Sequence, residues 1–276
     1  MMANYQIEQI DGHTWKLADP FKTYLYLLEG TERALLIDAG NGFSGLQEAV
    51  KELTDKPVDV ALTHGHFDHT GCGAMFGRTY LTKEDLEICE NGFDPAVRQE
   101  EWDFFCRLYQ VSAGNAEKDF FLARTAPEKL EYIEETSVLE LGERSIQVIR
   151  TPGHTKGSVC YLDEKNRYLF SGDTICNREV LIYFSHSATV ETFRASVQKL
   201  LGMQESYGEI WPGHHESPLG HEIMADYLTA AKRIIDDPSV GKIMNMQNGY
   251  KQLYDYKTIG ISYIGENIYN YTTGKN

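Results

Sequence analysis

The alternation of apolar and polar residues in the first part of the chain predicts two strands, a helix and a further strand. Two apolar runs, at residues 24–28 and 33–38, flank a polar segment in the pattern of a hairpin. Apolar residues at positions 43, 46, 50 and 53 then recur at helical spacing, and the run 58–63 predicts a short buried strand. This stretch therefore predicts a hairpin followed by a β-α-β step.

The second half of the chain has the same mixture with more strands. Short apolar runs separated by turn residues predict four strands, at residues 138–141, 146–149, 159–162 and 168–170. Apolar spacing further along predicts a helix, a strand, a second helix and a closing strand, over residues 193–201, 209–211, 223–234 and 257–263. The length of 276 residues favours one large core, and we predict a single domain over residues 1–276.

A block over residues 82–135 has a helical character of its own. Thr82 and Asp94 suit helix N-caps, and Pro95 suits a first helical position. Aromatic residues such as Trp102 and Phe105 are spaced for one helical face. We interpret the block as a helical insertion over one edge of the domain. Its aromatic residues either face a substrate or pack the insertion onto the domain.

The charge of the chain narrows the classes of partner. The sequence has 26 basic and 41 acidic residues, a net charge of −15, with 42% hydrophobic residues and a mean hydropathy of −0.41. A polyphosphate backbone or an anionic membrane surface would repel this charge, so we expect a small-molecule substrate and neither nucleic acid nor membrane as a partner. The sequence leaves a homo-oligomer open.

Two further observations predict a cytoplasmic location. The first 16 residues lack the cationic segment and apolar run of a secretory leader, and no stretch approaches the ~18 apolar residues of a membrane span. The five cysteines are odd in number and never form a C-x-x-C pair, which disfavours a disulfide framework and excludes a four-cysteine zinc site.

The most informative segment is an H-x-H-x-D-H run directly after the predicted strand at 58–63. It places four metal-ligating side chains within six positions: His64, His66, Asp68 and His69. In an extended backbone, residues two apart point to the same side, so His64 and His66 can share one metal ion. A turn after them can aim Asp68 and His69 at a second ion. Imidazole and carboxylate ligands suit zinc, and also iron, manganese or cobalt.

Three later segments each place a histidine or an aspartate after a predicted strand, in a turn that contains glycine. They are Thr-Pro-Gly-His154-Thr, Ser-Gly-Asp173-Thr and Pro-Gly-His214-His215. Glycine lets the backbone approach a metal ion closely in such turns. Each segment is weak evidence by itself, but their order after the H-x-H-x-D-H run makes them strong together.

With these motifs the chain resembles the metallo-β-lactamase superfamily, and the resemblance extends from residue 24 to residue 263. It rests on five segments, at residues 35–40, 64–69, 152–155, 172–174 and 212–214. The resemblance implies an α+β fold, an αββα sandwich of two mixed β-sheets flanked by helices, with a two-metal site at one edge of the sheets.

The resemblance also implies a role for each matched residue. It implies three ligands for a first ion, three for a second and one bridging residue: His64, His66 and His154; Asp68, His69 and His214; and Asp173. The family pattern places the ligand directly after Pro-Gly, which favours His214 over His215. Asp38 corresponds to a residue that supports the metal loop without binding an ion.

Departures from family patterns reduce the number of substrate classes that the sequence supports. The commonest zinc β-lactamases have cysteine where this chain has Asp173, which disfavours β-lactam hydrolysis, whereas Asp173 is similar to glyoxalase II and the quorum-quenching lactonases. The lactonase pattern has tyrosine at the position of Cys176. We therefore expect hydrolysis of a carboxylic ester, thioester or lactone. The alternatives are a small phosphoester hydrolase and a mononuclear-iron thiol or persulfide dioxygenase, and a third interpretation gives the metals only a structural role.

The chemistry implied by the resemblance requires two divalent ions, with zinc favoured and iron or manganese as alternatives. Two such ions share a hydroxide that serves as the nucleophile. Asp68 is the candidate catalytic residue, because its carboxylate can orient that hydroxide or accept its proton. Cys176, Tyr183 and His186 are candidates for the substrate pocket, although an exposed histidine that binds nothing is the alternative for His186.

Overall fold

Two units divide the chain, Met1–Val148 and Ile149–Asn276. The computed structural model describes residues 5–111, 114–246 and 249–270. The single-domain organisation expected over residues 1–276 stays a prediction.

The first unit contains a seven-stranded mixed sheet whose strands follow chain order. They are β1 (Gln6–Asp11), β2 (Thr14–Ala18), β3 (Tyr24–Glu29), β4 (Ala34–Ile37), β5 (Val58–Ala61), β6 (Thr79–Leu81) and β7 (Leu130–Tyr132). Neighbours from β1 to β4 are antiparallel, and those from β4 to β7 are parallel. β4 is buried throughout and forms a continuous apolar run, whereas β5 is buried after its first residue and includes Asp59 among its apolar residues.

Five helices accompany this sheet in the described part of the first unit. They are α1 (Leu46–Leu53), α2 (Phe67–Thr70), α3 (Leu86–Asn91), α4 (Pro95–Tyr109) and α5 (Asn115–Leu122), with 3-10 turns at Gly73–Met75 and Lys83–Asp85. The predicted helix between β4 and β5 is α1, which buries Leu46, Ala49 and Val50. α2 begins inside the H-x-H-x-D-H run, where the sequence indicated only a turn.

The structure of the helical block agrees in part with the prediction from the sequence. The side chain of Asp94 caps α4 by accepting hydrogen bonds from the backbone N–H groups of Ala96 (2.8 Å) and Val97 (3.4 Å), and Pro95 is the first helical residue. The expectation for Thr82 was wrong in one respect, because this residue precedes a 3-10 turn and not an α-helix. The block also includes β7, a three-residue strand too short to show a period in the sequence.

Most of the aromatic residues of the block pack the first unit's core. Trp102 is 5% exposed and Phe121 is fully buried, and both rings contact Phe21 and Phe43. Full burial of an aromatic side chain contributes about 2–3 kcal/mol, so these residues hold the block in place. Phe104 differs, because 51% of it is exposed.

The strands that follow form two sheets. The first has the order β13-β11-β10-β9-β8, and its strands are β8 (Val138–Glu140), β9 (Ser145–Arg150), β10 (Val159–Asp163), β11 (Tyr168–Gly172) and β13 (Glu209–Pro212). The boundary of the two units falls inside β9. The second sheet has the order β12-β16-β15-β14, and its strands are β12 (Glu179–Ile182), β14 (Lys242–Met246), β15 (Gly249–Tyr256) and β16 (Ile259–Tyr263).

Two long helices pack together in the second unit, α6 (Val190–Gly202) and α7 (Glu222–Asp236). The hydroxyl of Thr189 caps α6 by accepting from the N–H of Thr192 at 3.1 Å. The buried rings of Phe193 and Tyr227 meet edge to face, with centroids 5.6 Å apart. Both helices were predicted from their apolar spacing.

Several strands were not predicted from the sequence. β1 and β14 are largely exposed, so neither needs the apolar alternation by which a buried strand is recognised. β12 and β15 complete the four-stranded sheet. Among the helices within residues 5–111, 114–246 and 249–270, none is long and apolar enough to cross a membrane.

Candidate metal centre

The first unit brings the four residues of the H-x-H-x-D-H run together at the end of β5. His64 Nε2 lies 3.0 Å from His66 Nδ1, and the rings of His64 and His69 have centroids 4.2 Å apart. Asp68 follows in α2, with its Oδ2 3.6 Å from His69 Nε2. His64 and His69 are buried, whereas His66 and Asp68 are half-buried. The run therefore presents a cluster of ligand atoms with an accessible side.

Asp38 supports this cluster from the end of β4. Its Oδ1 accepts from the N–H of Thr63 at 2.7 Å, and its Oδ2 accepts from the Thr63 hydroxyl at 2.9 Å. Oδ2 also lies 2.8 Å from His69 Nδ1. The backbone of Asp38 has φ of 60°, a left-handed conformation that aspartate tolerates better than most residues. The carboxylate thus joins the end of one strand to the loop after the next.

These hydrogen bonds determine which nitrogen each ring presents. A carboxylate only accepts, so His69 donates from Nδ1 and presents Nε2 on the side opposite this hydrogen bond. The Thr63 hydroxyl donates to Asp38, so the contact of 3.0 Å between Thr63 Oγ1 and His64 Nδ1 has the histidine as donor. His64 likewise presents Nε2 on the side opposite this hydrogen bond. An unprotonated nitrogen is the form of imidazole that binds a metal ion.

The second unit brings its three predicted ligands together. His154 follows β9, Asp173 follows β11 and His214 follows β13. β11 and β13 are parallel, with Gly172 paired to Pro212, so Asp173 and His214 leave the sheet at the same edge. His154 Nε2 lies 3.6 Å from Asp173 Oδ2, and His214 Nε2 lies 3.5 Å from Asp173 Oδ1. Each oxygen of Asp173 therefore faces a different imidazole.

His154 has the same kind of support as His64 and His69. Its Nδ1 lies 2.8 Å from the carbonyl oxygen of Leu181, which can only accept, so Nδ1 donates and Nε2 faces Asp173. Gly153 precedes it with no room for a side chain, because a Cβ there would lie 2.7 Å from Cδ2 of the buried Phe193. The glycine of this motif is thus required by packing.

The distances within each unit fit divalent metal ions. Ligands bonded at about 2.0–2.1 Å around a tetrahedral ion are themselves about 3.4 Å apart. The imidazole–carboxylate distances of 3.5 and 3.6 Å match this value and exceed a good N–H···O hydrogen bond. Five nitrogens and two carboxylates form the donor set that zinc, iron and manganese accept. The seven residues fit such ions by chemistry and by spacing.

The residues proposed for a substrate pocket have different environments. Cys176 is only 4% exposed, its Sγ donates to the carbonyl oxygen of Glu179 at 3.5 Å, and burial raises the pKa of its thiol to about 12. Tyr183 and His186 are half-buried on either side of Phe184. The Phe184 ring stacks on His186 at 5.0 Å and meets His154 edge to face at 6.1 Å. Burial lowers the pKa of His186 to about 4.

Several residues near the ligands had no sequence signal. Glu101 on α4 is half-buried, and burial together with the charge of Asp68 raises its pKa to about 7. The ring of Phe105, one turn further along α4, lies 5.7 Å from that of Phe67, the residue before Asp68. The carboxylate of Asp85 contacts the backbone between His64 and His66. Thr63 could have been proposed from the sequence as a neighbour of the candidate ligands, because it directly precedes His64.

Comparisons with known proteins identify the family of the chain. The family described as the metallo-beta-lactamase superfamily matches residues 18–86 and 90–238. The acyl-coenzyme A thioesterase MBLAC2 of Homo sapiens is 25% identical over 206 residues, which are 69% of this chain and 72% of the relative. The probable polyketide biosynthesis zinc-dependent hydrolase PksB of Bacillus subtilis is 24% identical over 243 residues, 85% and 92% of the two chains.

Another relative and one solved structure complete the comparison. A hydroxyacylglutathione hydrolase of Francisella philomiragia is 28% identical over 198 residues, 72% of this chain and 64% of the relative. The crystal structure of the metallo-beta-lactamase family protein TTHA1429 from Thermus thermophilus matches with a TM-score of 0.62 and 19% identity, over 86% of each chain. The chain belongs to the metallo-beta-lactamase superfamily, with its α+β αββα sandwich fold, and is a metal-dependent hydrolase.

Proposed function

We propose that the protein is a dinuclear metal-dependent hydrolase that cleaves a carboxylic ester, thioester or lactone. The observation that carries the dinuclear assignment is the placement of Asp173, whose two oxygens face two different imidazoles at 3.6 and 3.5 Å. A carboxylate in this position can contribute one oxygen to each of two ions. We propose zinc as the metal, because imidazole and carboxylate ligands suit it and PksB is described as zinc-dependent.

We assign the ligands in two groups and one bridge: His64, His66 and His154; Asp68, His69 and His214; and Asp173. The hydrogen bonds at Nδ1 of His64, His69 and His154 support this assignment, because each orients its ring with Nε2 on the opposite side, as in imidazoles that bind metal ions. When bound, two such ions lower the pKa of a shared water and polarise the oxygen of a substrate.

The chain's own residues would then control that water and the substrate. Asp68 is half-buried beside His69, where its carboxylate can accept a hydrogen bond from the nucleophilic water and hold its proton. Asp38 would keep His69 in orientation through the hydrogen bond at Nδ1. Tyr183 and His186 would line the substrate pocket beside Phe184. Cys176 would support the pocket from behind without contacting the substrate, because its side chain is buried.

Charge supports the choice of substrate. Phosphodiester substrates need cationic side chains to bind charge that the site must desolvate. Exposed Lys156 and Arg178 are the candidates near the second unit's ligands, and the chain carries a net charge of −15. The thioesterase and hydroxyacylglutathione hydrolase among the relatives support a thioester in particular. The substrate we propose is a small molecule, with neither a nucleic acid nor a membrane as partner.

The test is metal content and substrate preference on one preparation. Elemental analysis of zinc-reconstituted protein should give two equivalents per chain, and Asp173→Ala should lose metal from both positions. The value of kcat/KM for a thioester or a p-nitrophenyl ester should exceed that for bis-p-nitrophenyl phosphate. Phosphodiester turnover faster by tenfold, a difference of about 1.4 kcal/mol, would reverse the substrate assignment. Full metal content and activity in Asp173→Ala would refute the bridge.

A further inference from the structure

Asp85 lies where the helical block begins, in the 3-10 turn Lys83–Asp85 that precedes α3. Its side chain is fully buried. Its Oδ2 accepts a hydrogen bond from the backbone N–H of Gly65 at 2.9 Å. Gly65 is the residue between His64 and His66, so the carboxylate holds the backbone that carries two proposed metal ligands.

The packing around Gly65 makes this contact specific. A Cβ on Gly65 would lie 2.5 Å from the carbonyl oxygen of Asp85 and 3.1 Å from the backbone nitrogen of Cys89. Real Cβ atoms do not approach a backbone oxygen so closely, so the loop backbone lies directly against the 3-10 turn and the start of α3. The glycine in H-x-H is needed to leave room for the turn that contains Asp85.

This contact holds the backbone from which the two imidazoles extend. His64 Nε2 and His66 Nδ1 lie 3.0 Å apart, so the loop brings the two rings into direct contact. If Gly65 loses its acceptor, its buried N–H must find another partner, and the loop must move to provide one. A change of a few tenths of an ångström in the loop would alter the angle between the two imidazoles at the ion.

We propose that Asp85 is a positioning residue through which the helical block holds His64 and His66 in the geometry that binds a metal ion. The inference rests on the proposed function, because it assumes that these histidines are ligands. Outer residues that hold metal ligands typically change metal affinity by about 10–100-fold when they are removed. We expect a change of that size for Asp85.

The experiment compares three variants of the full chain by their affinity for Zn²⁺, measured by competition with a chromophoric chelator. Asp85→Ala should bind Zn²⁺ about 10–100-fold more weakly than the original protein. Asp85→Asn keeps an oxygen that can accept from Gly65 and should stay within about threefold. The matched control is Asp59→Ala, because Asp59 is also a buried aspartate that accepts a backbone hydrogen bond, from Arg78 at 2.9 Å, but its partner lies outside the ligand loop.

A second readout is the visible absorption of the Co²⁺-substituted protein, which reports the geometry around the ion and does not depend on any substrate. We expect Asp85→Ala to change this spectrum and Asp59→Ala to leave it unchanged. Wild-type affinity and an unchanged spectrum in Asp85→Ala would overturn the proposal, as would an equal loss of affinity in Asp59→Ala.

Folding of the variants is checked by near-UV circular dichroism. If Asp85→Ala does not fold, Gly65→Ala tests the proposal instead, because its Cβ must displace the loop from Asp85. This variant should bind Zn²⁺ at least tenfold more weakly. Unchanged Zn²⁺ binding by Gly65→Ala would overturn the proposal. A failure of the proposed function is distinguishable, since the unmutated protein would then bind no Zn²⁺ at this site, whereas failure of the inference leaves its binding intact.

Discussion

The guanidinium group of Arg98 holds the helical block to the rest of the first unit, and its removal tests how that block is attached. Arg98 lies on α4 and is fully buried. Its Nε donates to the carbonyl oxygen of Phe121 at 2.9 Å, and a terminal nitrogen donates to the carbonyl oxygen of Asn41 at 2.7 Å. The guanidinium also lies 4.1 Å from the centre of the Phe121 ring.

The perturbation we choose is Arg98→Met, which preserves most of the side chain's length and apolar stem. The substitution leaves the carbonyl oxygen of Asn41 without its donor, whereas that of Phe121 loses one of two donors and keeps the backbone N–H of Arg124 at 3.3 Å. An unsatisfied buried acceptor costs about 1–3 kcal/mol and a lost hydrogen bond from a charged donor about 1.5–3 kcal/mol, which sums to about 2.5–6 kcal/mol. Removing the cation also removes the cost of burying it, a cost visible in its pKa, which burial lowers to about 10. We therefore expect a net loss of about 2–4 kcal/mol.

The assay is equilibrium unfolding in urea together with thermal melting. A loss of 2–4 kcal/mol corresponds to a fall in Tm of roughly 4–16 °C for a protein of this size. The control is Arg107→Met, on the last turn of the same helix, where the side chain is exposed and the expected change is about 0.5 kcal/mol or less. Stability of Arg98→Met within 1 kcal/mol of the original protein would refute the reasoning, because the buried bonds would then contribute nothing net.

Three further outcomes are expected. Asp38→Asn should weaken Zn²⁺ binding about 10–100-fold, because an amide cannot accept at both oxygens as the carboxylate does; unchanged affinity by calorimetry would contradict this. His186 has a folded pKa of about 4, below its unfolded value, so it binds fewer protons when folded and stability falls as pH drops from about 6.5 to 4. Because the ring is only half-buried, His186→Gln should reduce this acid loss by about 1–2 kcal/mol, and identical urea midpoints for the two proteins at pH 5, after matching at pH 7, would argue against it. Iodoacetamide at pH 8 should modify the partly exposed Cys106 first, since burial raises the pKa of the other four thiols to about 12. Mass spectrometry that finds Cys176 modified as fast as Cys106 would contradict the burial of the Cys176 thiol.

Local sequence placed the candidate ligands relative to the strands because each motif begins within a few residues of a strand's end. His64 and His66 follow β5, and Asp173 follows the buried run of β11. A strand fixes the direction of the chain at its end, and a glycine turn limits what comes next, so the spacing within each motif is already informative. The start of α4 was also predicted from local sequence, because the Asp94 cap and Pro95 are adjacent residues at its first turn.

Long-range partners could not be predicted in the same way. Asp38, 31 positions from His69, was expected to support the metal loop only because the family resemblance implied it, and Asp85, 20 positions from Gly65, had no sequence signal. The aromatic residues of the helical block also look alike in sequence. Only packing places Phe121 in the core and leaves half of Phe104 exposed.

By itself, the sequence determined the chemical types of the candidate ligands, their order along the chain and the strands after which they come, because these depend on neighbouring residues alone. Tertiary structure decided which nitrogen His64, His69 and His154 present, and it added Asp85 to the support that the resemblance implied for Asp38. It also decided that Cys176 is buried and that β1 and β14 exist. The physical reason is that hydrogen-bond acceptors, burial and exposed strand pairing come from residues distant in sequence, and one sequence without its fold does not show which of them meet.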